Sequence, residues 1–136
     1  MKKLGFTLFL LVATAMLGMA GVFSAQDDDA PLFVAINKSA DQQYFIDQQA
    51  AFTATVEELG GRALTFDARL DPNLGISLVE DASSAGAVGI AITVPDQTIG
   101  PAIALAAEEA GVVLSATDDA STDSNGDPVP FVGFNG

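Results

Sequence analysis

The chain has 136 residues, with 18 acidic side chains against 5 basic ones, a formal net charge of −13, and no histidine, cysteine or tryptophan. A surface this acidic repels phosphate backbones and anionic lipid heads, which argues against nucleic-acid binding and peripheral membrane attachment. The missing Cys and His remove the common zinc, haem and iron–sulfur ligands, disulfides, and any Cys or His nucleophile–base pair. The fold must rest on a hydrophobic core, and a hydrophobic content of 49% is enough for one small domain.

The first predicted element is a leader. Met1-Lys2-Lys3 is a positive start, Leu4 to Val22 is an uncharged apolar run, and Phe23-Ser24-Ala25 leads into Gln26-Asp27-Asp28-Asp29, where the charge reverses. This is the pattern of a secretory signal peptide over residues 1–25, cut after Ala25, or after Ala20 behind the small residues Gly18-Met19-Ala20. An uncleaved anchor is the alternative, because a run of about 20 apolar residues can span a bilayer. No Cys follows the run, so a lipoprotein anchor is excluded. Export to a periplasm is expected, with an acidic linker at 26–30 and one domain over 31–136.

Strand-like and helix-like segments then alternate. Leu32 to Ile36 reads as a buried strand. Phe45, Phe52, Val56 and Leu59 recur at helical spacing from about Gln43 to Leu59, and Gly60-Gly61 stops the helix. Arg62 to Phe66 is a second strand. Asp71-Pro72 opens a second helix, with Asp as N-cap and Pro at its first position, and Leu74, Leu78, Ala82 and Ala85 form its inner stripe up to Gly86. Ala87 to Thr93 is a third strand. Thr98 to Ala110 is a third helix with Ile99, Ile103 and Ala106 facing inward, ended by Gly111 before a fourth strand, Val112 to Leu114. A polar segment, 118–128, leads to a fifth strand from Pro130 to Phe134. Apolar strands each followed by an amphipathic helix imply an α/β fold: a Rossmann-like parallel sheet with helices on both faces.

Open parallel sheets bind ligands beyond the carboxyl ends of their strands. There the first strand delivers Asn37-Lys38 and then Gln42 and Tyr44-Phe45. The second strand delivers Asp67 to Asp71, the third Pro95-Asp96-Gln97, and the fourth Asp118-Asp119. Carboxylates, amides and a lysine form charge-assisted bonds to hydroxyls, and aromatic rings pack on the apolar face of a sugar ring, so the mixture suits a neutral polyhydroxylated ligand. Phosphate fits poorly, because no glycine-rich loop follows the first strand. Each residue also has a plainer role. Lys38 can be a solvated loop cation, Phe45 core, Asp96 a helix-dipole partner, Asp118 and Asp119 turn formers, and Arg69 with Asp71 a surface pair. Asp123 to Asp127 resembles part of a calcium loop, but with Gly126 at the sixth position the twelfth is Val132, where the bidentate glutamate belongs, so it reads as a turn. No metal and no cofactor is expected. Asn37-Lys38-Ser39 matches the N-glycosylation triplet, a pattern short enough to arise by chance.

Four segments together resemble a known family: Phe33 to Lys38 with Tyr44-Phe45, Thr93-Val94-Pro95-Asp96, Ala116-Thr117-Asp118-Asp119, and Pro128 to Phe134. In order and spacing they are similar to periplasmic sugar-binding proteins of ABC transporters, in the arabinose-binding branch of the type I fold. In that family two α/β lobes joined by a hinge close on a sugar. The resemblance implies that Lys38 and Asp96 bind sugar hydroxyls and that Asp119 borders the cleft. It also implies that Gln42 stands where arabinose binders carry a glutamate, and Tyr44, beside Phe45, where they carry a stacking tryptophan. Those two departures leave the identity of the sugar open.

The family's proteins are about two to three times this long, so the chain is expected to be the first lobe of a longer protein. The function implied is capture of a monosaccharide, a pentose or hexose, for delivery to ABC permease subunits by a monomeric, non-enzymatic protein. The alternatives are a sugar-sensing receptor domain on the same fold and a small exported glycosidase using carboxylates such as Asp96 and Asp118.

Overall fold

The computed structural model describes residues 29–133. The expected leader, most of the acidic linker and Phe134 lie outside the described residues. The elements run β1 (Leu32–Asn37), α1 (Gln43–Glu58), β2 (Arg62–Asp67), α2 (Pro72–Ser84), β3 (Ala87–Ile92), a 3-10 turn (Gln97–Ile99), α3 (Gly100–Ala110), β4 (Val113–Thr117) and β5 (Phe131–Val132). All strands pair in parallel in the order β2-β1-β3-β4-β5. The chain steps outward from β1 to β2 and then returns past β1 to β3, which makes the gap between β1 and β3 the switch point of the sheet. In open α/β sheets ligands bind at the carboxyl ends of strands beside such a point.

Local chemistry sets the element ends. Asp71 caps α2 by accepting from the N–H groups of Asn73 at 2.9 Å and Leu74 at 3.3 Å, with Pro72 at the position whose missing N–H costs nothing. The third helical segment begins as a 3-10 turn and becomes α-helical only at Gly100.

The main core lies between the sheet and the pair α2–α3. Val34 and Ile36 of β1, Ile90 and Ile92 of β3, Val79 of α2 and Ile103 of α3 are all buried within it. The expected inner stripes shift here. On α2 the buried residues are Gly75, Val79 and Ala82, whereas Leu74 and Leu78 flank them half-buried and Ala85 is exposed. The cause is Gly75: a Cβ there would lie 3.2 Å from Ile99 and 3.3 Å from Pro95, so the glycine marks the line of closest approach. On α3 Ala107 is buried in place of Ala106, which is half-buried. Leu59, expected on the inner face of α1, is 82% exposed, because the helix ends at Glu58 and Gly60 turns the chain away with φ +81°.

Helix α1 lies against β1 and β2 on the opposite face of the sheet, burying Phe45 and Val56. The expected two-sided cover is incomplete among the described residues. On the α1 side, Val88 of β3 and Val113 of β4 stay largely exposed beside an apolar groove that also includes Phe33 and Phe52. Phe33 lies so close over β3 that a Cβ at Gly89 would approach its ring to 2.9 Å, so a glycine is needed there.

Strand β4 runs to Thr117, beyond the expected Leu114. Its polar residues have partners: Ser115 Oγ donates to the Pro130 carbonyl at 3.2 Å, and the Thr117 hydroxyl meets that of Thr93 at 2.9 Å. Strand β5 is shorter than expected, only Phe131 and Val132.

Candidate functional site

Strand β1 ends in Asn37, which is almost fully buried and donates its Nδ2 to the carbonyl of Phe45 at 2.9 Å. That bond ties the first turn of α1 to the strand end. A buried amide left without such a partner is costly, so the geometry is enforced. Lys38 follows, anchored through its carbonyl, which accepts from Leu70 N–H at 2.7 Å. Tyr44 and Phe45 occupy the first turn of α1 with their rings 5.1 Å apart, edge to face at 75°. The Lys38 ammonium stands 5.5 Å from the centre of the Phe45 ring, within cation–π range. Phe45 is therefore core on one side and part of the polar cluster on the other.

The opposite side of the cluster comes from the end of β4. Asp118 adopts a left-handed backbone, φ +63°, a conformation that Asp and Asn tolerate better than most residues. Its N–H donates to the Val132 carbonyl at 3.1 Å and the N–H of Asp119 to Thr117 at 2.7 Å. Successive residues of an extended chain face opposite ways, but this turn brings both carboxylates to Lys38. Nζ lies 2.5 Å from Asp119 Oδ2 and 3.5 Å from Asp118 Oδ2. These are the ion pairs found among the described residues. The bond to Asp119 first, and then the negative charge of both carboxylates, hold the Lys38 pKa above its ordinary value against the opposing effect of burial. Tyr44 is also raised, first by burial and then by the charge of Asp118. All three charged side chains remain about a quarter to a third exposed, so the pair contributes only about 0.2–1 kcal/mol to stability. The main effect of the pair is to fix where a charged, donor-rich group sits.

The six residues singled out from the sequence divide accordingly. Lys38, Tyr44, Phe45 and Asp119 come together at one end of the sheet. Gln42 takes the N-cap position of α1 through its backbone, whose carbonyl accepts from Phe45 and Ile46, and its exposed side chain makes no capping bond. Asp96 caps the 3-10 turn, accepting from Thr98 N–H at 2.8 Å, and bonding to Thr98 holds its carboxyl below the ordinary value. It sits at the end of β3, outside the Lys38 contacts. Asp118, placed by the sequence at the end of the fourth strand but not among the residues that the resemblance assigns to the sugar, joins the cluster through a left-handed turn that no local pattern displays. Asn37, the residue that positions the aromatic pair, had no signal beyond its place at a strand end.

Asp123 is confirmed as a turn former. Its Oδ1 accepts from the N–H groups of Asn125 at 2.8 Å and Asp127 at 2.9 Å, which lowers its pKa, and Gly126 supplies φ +86°. The expected surface pair of Arg69 and Asp71 does not form. Asp71 caps α2, and the Arg69 N–H is held by Asp67 Oδ1 at 2.8 Å.

No family model matches the chain. It is 31% identical over 127 residues, 93% of its length, to an ABC transporter L-arabinose-binding periplasmic protein of Azospirillum brasilense, and spans 38% of that protein's length. Among solved structures it superposes on the myo-inositol binding protein of Caulobacter bound to myo-inositol, with TM-score 0.68 and 22% identity, over 75% of this chain and 34% of the other. A carbohydrate transporter solute binding protein of Agrobacterium radiobacter in complex with D-arabinose gives TM-score 0.68 and 21% identity, over 79% and 36%. The chain shares with the matched part of these solute-binding proteins its fold, a parallel α/β sheet with flanking helices. The resemblance carried by the four motifs, to the sugar-binding proteins of ABC transporters, extends over nearly the whole chain.

Proposed function

We propose that the end of the sheet bearing Lys38, Tyr44, Phe45, Asp118 and Asp119 is one wall of a monosaccharide site in a periplasmic solute-binding protein that serves an ABC permease. The observation that carries the reading is the meeting of a lysine–carboxylate cluster and an edge-to-face aromatic pair at the switch point of the sheet. A hydroxyl both donates and accepts. The carboxylates offer acceptors and the ammonium offers donors within one sugar's width, while the exposed Tyr44 ring offers an apolar face for C–H groups. Gln42 and Asp96 border this surface and lend further hydrogen bonds. The wall is open, and high affinity requires that most of a ligand be buried, so a second surface has to close on it. Hinge closure of two lobes is the corresponding switch.

The same geometry favours binding over catalysis. Bonding to Thr98 holds the Asp96 carboxyl below its ordinary value, opposite to the raised value that a general acid in glycoside hydrolysis needs. The test uses Tyr44, the only tyrosine in a chain without tryptophan, as a fluorescent reporter inside the cluster. Titration with pentoses and hexoses is expected to change its emission and raise the melting temperature for one or a few of them. Lys38→Met, which keeps the stem and removes the donors, is expected to weaken that response about tenfold or more. A panel in which no pentose, hexose or deoxysugar changes either signal, at concentrations high enough to fill even a weak one-walled site, refutes the reading.

A further inference from the structure

We propose that Asp118 and Asp119 are specificity residues that neutralise Lys38 so that the site takes uncharged sugars and rejects sugar acids. The inference rests on the monosaccharide reading above and adds to it the residues that enforce an uncharged ligand. Two features of this surface, taken alone, would attract an anion. One is the Lys38 ammonium; the other is the first turn of α1, whose positive dipole end lies beside Tyr44 and Phe45. A lysine beside a helix N-terminus is a common way to hold a carboxylate or phosphate. Here the arrangement is countered from β4. Asp119 sits 2.5 Å and Asp118 3.5 Å from Nζ, and the left-handed backbone of Asp118 is what turns both carboxylates inward. Asp96, at the end of the neighbouring strand, adds a further negative charge to this edge.

One ammonium faced by two carboxylates leaves the cluster net negative. The attraction of an incoming carboxylate to the ammonium is offset by its repulsion from two like charges at short range. A neutral hydroxyl suffers no such repulsion. It can accept from Lys38 and donate to either carboxylate without breaking the pair. The cluster therefore keeps the donor capacity of lysine while removing its attraction for anions, a case of specificity obtained by repulsion of the wrong ligand.

The test compares ring-matched pairs, galactose with galacturonate and glucose with glucuronate, plus arabinose. The purchased sugars are titrated into the full chain and followed by Tyr44 fluorescence and by backbone amide chemical shifts. In the wild type the uncharged member is expected to bind at least about tenfold more tightly than its acid, and added salt is expected to narrow the gap by screening. The double variant Asp118→Asn with Asp119→Asn removes both charges while keeping hydrogen-bonding amides. Asn is as tolerant as Asp of the left-handed backbone at 118, so the turn survives. In that variant the acids are expected to gain about tenfold relative to the uncharged sugars. If the double variant is unfolded by circular dichroism, Asp119→Asn alone is expected to shift the ratio the same way by a smaller factor.

Equal binding of acid and uncharged sugar by the wild type overturns the inference and leaves the monosaccharide reading standing. An unchanged ratio in the folded variant also overturns it. Binding of neither class, at concentrations high enough to fill even a weak one-walled site, defeats the monosaccharide reading itself, and the charge rule with it.

Discussion

Asn37→Asp changes one atom in the interior, and its consequences can be worked through. In the native protein Asn37 Nδ2 donates to the Phe45 carbonyl at 2.9 Å, in a site with almost no solvent contact. An ionised aspartate has no donor and would face that carbonyl with its own negative charge. The protein can avoid this by protonating the carboxyl, which then donates its O–H in place of the amide. Holding protonated a group with an ordinary pKa near 3.9 costs about 4 kcal/mol at about pH 7, from 1.36 kcal/mol for each unit of pH. That sets an upper limit on the loss, and the deleted hydrogen bond sets a lower one of about 1 kcal/mol. The expected destabilisation at about pH 7 is therefore roughly 1–4 kcal/mol, a large share of the roughly 5–15 kcal/mol that small domains possess. Near pH 4 the protonated acid is nearly equivalent to the amide, and the difference from wild type should fall to about 1 kcal/mol or less.

The assay is urea unfolding of both proteins at each pH, followed by the emission of Tyr44, next in the chain to the residue whose carbonyl is involved. The difference between wild type and variant is taken at matched pH, so that effects common to both cancel. A loss of equal size at both values, or one below about 0.5 kcal/mol at about pH 7, would show that Asn37 does not hold α1 through this bond.

Gly100→Ala tests the docking of the 118–130 loop on α3. A Cβ there would meet Ser121 Oγ and lie 2.5 Å from the Thr122 carbonyl oxygen, so a loss of about 1–3 kcal/mol is expected in thermal unfolding, and none would refute the contact. The pH profile of stability should have two limbs. Lys38 and Tyr44 have pKa values raised above 10.5 and 10.0 by folding, so the stability they carry is intact below those values and is lost as pH rises through the folded ones. Asp96 and Asp123 are lowered from 3.8, so theirs is intact above that value and lost as pH falls through the folded ones. Urea midpoints measured across both ranges check the signs, and in Asp119→Asn the alkaline limb should weaken; an unchanged limb would sever Lys38 from it.

Much of this protein is written in local chemistry. Asp71-Pro72 had to start a helix, because a carboxylate that accepts from two free N–H groups and a residue without an N–H fit that position and few others. The glycines after each helix mark turns that side chains resist, and the apolar runs between them had to be strands buried in a parallel sheet. Because each follows the carboxyl end of a strand in a parallel sheet, Lys38, Asp96 and Asp119 could be placed at the same edge. Such features depend on neighbours within about four residues, which a sequence displays directly.

Other features depended on the tertiary structure. The shift of the α2 stripe to Gly75, Val79 and Ala82 follows from how closely α2 approaches Pro95 and Ile99, a distance set by another segment. The face left uncovered among the described residues beside Val88 and Val113 follows from α1 lying over β1 and β2 rather than over the middle of the sheet. The meeting of Asp118 with Lys38, 80 residues earlier in the chain, required the left-handed turn at 118 and the neighbouring strand that accepts its N–H. The sequence by itself determined which residues reach the end of the sheet. Only packing decided which of them touch, because contact between distant side chains is set by backbone dihedrals and inter-element distances that no local pattern encodes.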